Sequence, residues 1–435
     1  MFRALTATSL LVVACILPAC GGGGASTRAE LATTPKAKTA TGDVIVDSTG
    51  QGVTKAAHAN WLEGKEKFAA YDKEGWNPSR CDEVASTFKS ANAAQAGKFA
   101  EAIYMAGAAM AKCGQDDEAN GLFKQALNVN PKLCEARSAV GVAHLEAGRL
   151  SQAEAEFTRA KTDDSTCAPA YVNLAIIQRQ QGGKEEEEAL KNLRRALAFD
   201  SDNLSAYNEM ALLYLDRARK GKKEALDLGA VVCRQAQLLD PNYAPIYNTW
   251  GLISIENSDI IEALRFFERA AQLDPKMFEA HMNFGFLTHS FRGYQDAQQA
   301  FAKAVALRPN SYEAHIGLGA ALRGLGKHSE AEAEYQAALK IDANRPEAYL
   351  NLGILYQDYK TGQIPDLETA KKYYTQFVAR ADKGRFKDEL ANVERTCSTK
   401  QSRRRKSTDC RPGRLQNIDT ALDALRAAEA MRKGK

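Results

Sequence analysis

Small, aromatic and proline residues recur through the middle of this chain at an interval of 34. Gly107 and Gly141 stand that far apart, and Gly251, Gly285, Gly319 and Gly353 follow one another at the same spacing. Pro241, Pro275 and Pro309 keep it too, as do Phe123 with Phe157 and Phe267 with Phe301. A period of this length holds two helices and their turns. With units starting near residues 100, 134, 168, 204, 244, 278, 312 and 346, position 8 is always Gly or Ala. Position 20 is equally small, from Ala119 to Ala370, with Gly229 in the fourth unit. Position 24 is Phe123, Phe157, Phe267, Phe301, Tyr335 or Tyr374, with Leu193 and Cys233 as exceptions. Position 27 is Ala from Ala126 through Ala338, then Phe377.

Physically, the pattern predicts two antiparallel helices per unit, each carrying a small residue that lets the axes approach. Glycine inside a helix costs about 0.5–1 kcal/mol relative to alanine, so its retention points to close packing. The aromatic at position 24 is expected to fill the space between one unit and the next. Proline at position 32 stops the second helix. Three units are longer, around Gly182-Gly183, around Arg219 to Lys223 and around Thr361 to Pro365, and such insertions belong in turns.

These positions resemble the tetratricopeptide-repeat (TPR) family. The resemblance implies an all-α, right-handed solenoid of eight repeats over 100–384, with a degenerate first repeat over 54–99 marked by Trp61, Gly64, Phe88 and Ala91. A C-terminal extension, 385–435, is expected to hold a capping helix over 385–396, a loop, and an amphipathic helix over 415–433. In such a solenoid the first helices line a concave face. That face would present Tyr104, Asn173, Arg179, Asn208, Glu209, Asn248, Glu256, Asn283, His289, Arg323, Asn351 and Asp358. An amide both donates and accepts hydrogen bonds, so a ladder of asparagines suits an extended peptide. The alternative is that they only solvate the face or satisfy neighbouring helix ends. The Lys/Asn pattern of carboxylate-clamp TPRs is not evident.

The N-terminus predicts export. Arg3 precedes a short apolar stretch, Leu10 to Leu17, too short to span a bilayer as a helix. Leu17-Pro18-Ala19-Cys20, followed by four glycines, resembles a bacterial lipobox. The resemblance implies a signal peptide over 1–19, acylation of Cys20, and a flexible tether over 20–53. Gly21, where Asp would signal inner-membrane retention, favours the outer membrane, periplasmic face. An ordinary secretory signal with a chance cysteine is the alternative.

Charge and cysteine usage refine this picture. From Arg385 onward there are 14 Lys/Arg against 7 Asp/Glu, so the tail carries +7 and the remaining chain −3 of the net +4. Arg403, Arg404, Arg405 and Lys406 concentrate that charge, as either a solvated face or a contact for an anionic partner. Of nine cysteines, Cys15 falls in the signal peptide and Cys20 is the expected lipidation site. The repeat register places Cys81 near Cys113 and Cys134 near Cys167, while Cys397 and Cys410 bracket the basic loop. These three pairs are expected disulfides in an oxidising compartment. Cys233 fills a core aromatic slot and is expected to remain a buried thiol.

No catalytic, metal or cofactor motif is apparent. His281 and His315 occupy equivalent repeat positions, which argues for packing over ligation. Gly324-Leu325-Gly326-Lys327-His328 lacks the first glycine and the hydroxyl of a phosphate loop. The layout of lipobox, tether, long array and basic tail is similar to TPR lipoproteins of the myxobacterial adventurous gliding machinery. It implies a non-catalytic scaffold that binds protein partners in an envelope-spanning complex. A pilotin-like assembly factor for a type IV pilus secretin, or a regulator of peptidoglycan enzymes, are the alternatives.

Overall fold

The computed structural model describes residues 45–394, 396–402, 405–411 and 413–433. Cys20 and the leader lie outside them. The described chain is built of helical hairpins in two compact units, divided between Ser258 and Asp259, inside the fifth repeat.

The first unit opens with α1 (Lys55–Glu74) and α2 (Pro78–Ala94). The hairpins α3 (Ala100–Ala111) with α4 (Asp116–Val129) and α5 (Cys134–Glu146) with α6 (Leu150–Asp163) follow. Then come α7 (Ala168–Gln181) with α8 (Glu185–Phe199), α9 (Leu204–Arg219) with α10 (Ala225–Leu239), and α11 (Ala244–Glu256). The second unit holds α12 (Ile260–Leu273), α13 (Phe278–Ser290) with α14 (Tyr294–Leu307), α15 (Tyr312–Gly324) with α16 (His328–Ile341), and α17 (Glu347–Asp358) with α18 (Ile364–Arg380). It ends in α19 (Lys387–Val393), a hairpin of β1 (Thr396–Ser402) and β2 (Arg405–Arg411), and α20 (Arg414–Lys433).

The hairpins close on a contact between position 8 and position 24 of the same repeat. A methyl group built on Gly107 would sit 2.7 Å from the Phe123 ring, and one on Gly353 would sit 2.6 Å from Tyr374. Gly141 meets Phe157 in the same way. The opening hairpin repeats the device with a longer first helix: Gly64 faces Phe88 at 2.7 Å. The aromatic therefore fills its own hairpin first. Phe301 does both, since methyls on Gly285 and on Gly317 of the next repeat would lie 2.9 and 2.6 Å from its ring. The two repeats with alanine at position 8, Ala175 and Ala211, are the two whose position 24 is not aromatic, Leu193 and Cys233. Small side chain and large ring exchange volume as a pair, as close packing requires.

The turn between helices repeats as well. Position 15 is left-handed in Gly114, Gly148, Gly182 and Gly326, with φ between 68° and 75°. Ser258 and Arg292 adopt the same conformation at that position, with φ of 64° and 63°, and accept a strain that glycine avoids.

Two disulfides bind neighbouring hairpins of the first unit. Cys81–Cys113 joins α2 to α3, and Cys134–Cys167 joins the starts of α5 and α7, with Cα separations of 6.4 and 5.7 Å. The sequence separations of 32 and 33 correspond to about 3.7 kcal/mol of stabilisation each in the chain-entropy model. Cys233 is a buried free thiol, and burial pushes its pKa up. The segment expected as a loop between Cys397 and Cys410 is instead an antiparallel ribbon whose register sets those two residues opposite each other. Thr396, Thr399 and Thr408 have the β-branched shape that suits a strand. The side chains of Cys397, Cys410, Arg405 and Lys406, and all of Arg403 and Arg404, lie outside the described residues.

The second unit is closed by α20. Ile418 and Leu422 are buried with Leu390, Val393 and Phe377. Arg414 donates to Gln357 at 2.6 Å, Asp358 at 2.9 Å and the Tyr374 hydroxyl at 3.1 Å. Lys371–Asp419 and Arg426–Glu368 fix the outer edge at 2.6 and 2.7 Å.

The ring contact makes glycine better than alanine at position 8. Gly319→Ala should destabilise the second unit by about 1–3 kcal/mol, the usual cost of overpacking, although alanine is the better helix former. Urea unfolding of the variant checks this. A gain of stability would mean that the Tyr335 ring yields freely.

Candidate partner-binding faces

The first helices of successive hairpins lie side by side in each unit, and their outward side chains form the candidate surface. Its centre is apolar. Position 9 holds Val142, Ile176 and Leu212 in the first unit, and Phe286 and Ile354 in the second, all half-buried. Polar residues flank this stripe. The combination offers a partner both apolar contact and hydrogen bonds, as protein interfaces do. The apolar stripe was not anticipated, although its signal is the plain recurrence of Val, Ile, Leu or Phe one residue after the small position 8.

The anticipated residues divide by what holds them. Tyr104 is wholly enclosed and presents no surface. It packs against Phe123 at 5.6 Å between ring centres, and burial pushes its hydroxyl pKa up. Every residue from Ala100 to Met110 is buried, so α3 has no open face. Asn173 donates to the Pro169 carbonyl of its own helix at 3.0 Å. Asn351 does likewise to Glu347 at 2.9 Å and accepts from Arg323 of the preceding repeat at 3.0 Å. Asn208 accepts from Thr249 of the next repeat at 2.7 Å. Asn248 is buried and Asn283 half-buried. Of the asparagines whose bonds are described, Asn208 and Asn351 tie neighbouring repeats together, whereas Asn173 is held within its own helix.

Charged members of the face are paired across repeats. Arg179 on α7 donates to Glu209 at 3.0 Å and Asp216 at 2.9 Å, both on α9. Burial opposes its charge, but the two carboxylates outweigh that and raise its pKa. Arg219 meets Glu256 at 2.7 Å. In the second unit Arg414 takes Asp358. His289 lies edge-on to Tyr294 at 5.5 Å, and burial with the nearby Arg323 holds its pKa below the usual value.

A second ladder runs beneath this face. Except in the first repeat, where it is Ile103, position 4 carries a polar tip that reaches the carbonyl six residues earlier, in the turn that ends the previous repeat. Tyr171, Tyr207, Tyr247 and Tyr349 donate their hydroxyls to Ser165, Ser201, Pro241 and Ala343 at 2.9–3.1 Å. His281 and His315 set Nε2 against the Pro275 and Pro309 carbonyls at 2.9 Å. Arg137 reaches the Pro131 carbonyl. This bond explains the equivalent histidines as structural groups. Both are buried.

Among the described residues, no group of three or more His, Cys, Asp or Glu side chains is arranged to hold a metal ion. None of the described helices is long and apolar enough to cross a membrane.

Comparison with known proteins agrees with this architecture. Residues 293–356 match the tetratricopeptide repeat family model. The type IV pilus assembly protein PilF of Pseudomonas aeruginosa is 26% identical over 142 residues, 32% of this chain and 54% of PilF. The chain thus spans about half the length of that curated relative. Among solved structures, the Cut9–Hcn1 hetero-tetramer of APC/C is similar with a TM-score of 0.55 and 17% identity, over 71% of this chain and 57% of that one. A thermophilic TPR protein of Thermus thermophilus gives 0.40 and 22%, over 44% and 99%. The fold is a TPR solenoid.

The Arg179 network should matter to stability on its own. Arg179→Ala leaves Glu209, itself buried, without its cation, and should cost about 3 kcal/mol, the lower end for breaking a buried pair. Glu209→Gln in the same chain should recover part of that loss. Thermal unfolding of the two variants and their combination measures both effects.

Proposed function

We propose that this protein is a lipid-anchored scaffold of the bacterial cell envelope, held by Cys20 at the periplasmic face of the outer membrane, where its repeats gather the subunits of a surface machine. The observation that carries the binding role is the half-buried apolar stripe at position 9, flanked by polar groups already fixed by inter-helix bonds. Such a surface is set in place before a partner arrives, which limits the ordering cost of association. The lipobox-like Leu17 to Cys20 supports the anchor. Acyl chains contribute about 0.8 kcal/mol per buried methylene, so two or more hold a protein firmly to a membrane.

The machine is a motility apparatus in either of two forms. Similarity to PilF favours assembly of a type IV pilus secretin. The longer array and the basic tail, with Arg403 to Lys406, favour a gliding complex. The basic ribbon would meet an acidic partner or an anionic surface.

Two measurements test this reading. Cys20→Ala should move the protein from the membrane fraction to the soluble periplasm. Persistent membrane association would remove the anchor from the account. Crosslinking in intact cells followed by pull-down should recover a secretin or gliding-complex subunits. Loss of pili on deletion selects the first form and loss of single-cell gliding the second. Recovery of cell-wall enzymes alone, with both movements intact, would contradict both.

A further inference from the structure

Glutamate stands at position 2 of five repeats: Glu101, Glu135, Glu279, Glu313 and Glu347. In the second unit each of the three meets arginine. Glu279 pairs with Arg308 at 2.9 Å, Glu313 with Arg345, and Glu347 with Arg345 at 3.2 Å and Arg385 at 2.8 Å. In the first unit, among the described residues, neither Glu101 nor Glu135 has a cation. The position that carries Arg308 in the sixth repeat carries Asn130 and Asp164 in the first two.

The result is a group of carboxylates with no counter-charge among the described residues. Glu101 is 3% exposed, and its Oε2 has no hydrogen-bond partner. Asp47 is 2% exposed, and its Oδ2 is likewise unpartnered. Glu135 is held above the usual carboxylate pKa by burial, then by the charges of Glu101 and Asp164. The groups facing it from neighbouring elements are therefore Glu101 and Tyr104 on α3 and Asp164 after α6. An unpaired buried carboxyl is costly, and a chain does not keep several together without a use for them. Helix N-termini offset only part of this, since the same position in the second unit adds arginine.

A segment of the chain itself covers the place. Residues 45–53 form a tight turn, in which Val53 donates to the Ile45 carbonyl at 2.8 Å and Asp47 to Gln51 at 2.9 Å. The Asp47 carboxylate accepts from the Thr49 and Gln51 amides at 2.9 and 3.0 Å. Ser48 gives its amide to Glu101 at 2.5 Å and accepts from Asn130 at 2.7 Å. One neutral N–H thus stands against a carboxylate where later repeats place a guanidinium. This part of the expected tether is a folded cover over the first repeat.

We propose that Glu101 and Glu135 form a recognition site for a lysine or arginine side chain of a protein partner, and that the Ile45–Val53 turn is its displaceable cover. The proposal deepens the scaffold reading by naming the chemistry of one contact. Recovery of envelope partners can succeed or fail whatever happens at this site, so the two readings are tested apart.

The test uses the full chain and a capped hexapeptide of alternating glycine and arginine, with glutamine replacing arginine as the control. Isothermal titration should show saturable binding of the arginine peptide alone, weakened at least tenfold by Glu135→Gln and by Glu101→Gln. Hydrogen exchange at the Ser48 amide should speed up on binding as the turn lifts. Stability separates site from scaffold. A raised folded-state pKa means that the Glu135 charge costs nothing below its unfolded pKa, costs increasingly between the unfolded and folded values, and costs its full amount above the folded one. Glu135→Gln should therefore raise the melting temperature at pH 7, with the gain fading toward pH 4, while binding is lost. Binding that both variants leave intact would overturn the proposal. So would calcium alone protecting the turn and blocking the peptide.

Discussion

The fold depends on the approach of a backbone to a ring. The hairpins α3–α4, α5–α6, α13–α14, α15–α16 and α17–α18 bring the position-8 glycine of the first helix onto the ring at position 24 of the second. There no room remains for a Cβ, as at Gly107, Gly319 and Gly353. Everything else in the repeat is arranged around this distance. Alanines at positions 20 and 27 keep the second helix close, and the left-handed turn at position 15 returns the chain in register. The position-4 side chain then ties the new helix to the turn before it. A hairpin of this size cannot bury its own apolar face, so stability comes from neighbours in the stack.

The two units use this scheme with different chemistry at their ends. In the second, arginines pair with the glutamates that open the first helices, and α20 covers the last hairpin. In the first, two disulfides take over the cross-linking, and Glu101 and Glu135 are left without arginine. Ionic ties thus fix the helix starts of the second unit, while in the first unit disulfides join neighbouring hairpins and the first repeat keeps carboxylates that no described cation meets. Stability and binding then pull in opposite directions at the same residues, a common compromise at functional sites.

Most of the architecture was legible because it is written in a period. The first helices start where the spacing of Gly107, Gly141 and Gly285 sets them, and the Cys81–Cys113 and Cys134–Cys167 contacts follow from the same register. What was not legible depends on partners outside the repeat frame. Tyr104 has the position of a surface residue, but the first repeat is enclosed and buries it. Asn173, Asn208 and Asn351 have the chemistry of a peptide ladder, yet helix carbonyls and neighbouring side chains compete for their bonds and hold them. The ribbon after Cys397 was hidden because its strands are short and polar. The pairing of Ala175 with Leu193 and of Ala211 with Cys233 was visible in the sequence, but its meaning needs the geometry that sets position 8 against position 24.

The account's central claim is that these two positions are chosen together. It is tested most directly by a double-mutant cycle on Gly141→Ala and Phe157→Leu, read by urea unfolding. The double variant recreates the combination that the third repeat already carries. It should lose less stability than the sum of the single variants, with a coupling of about 1 kcal/mol or more. Strict additivity, within about 0.3–0.5 kcal/mol, would show that the glycine and the ring do not depend on each other and would contradict the account.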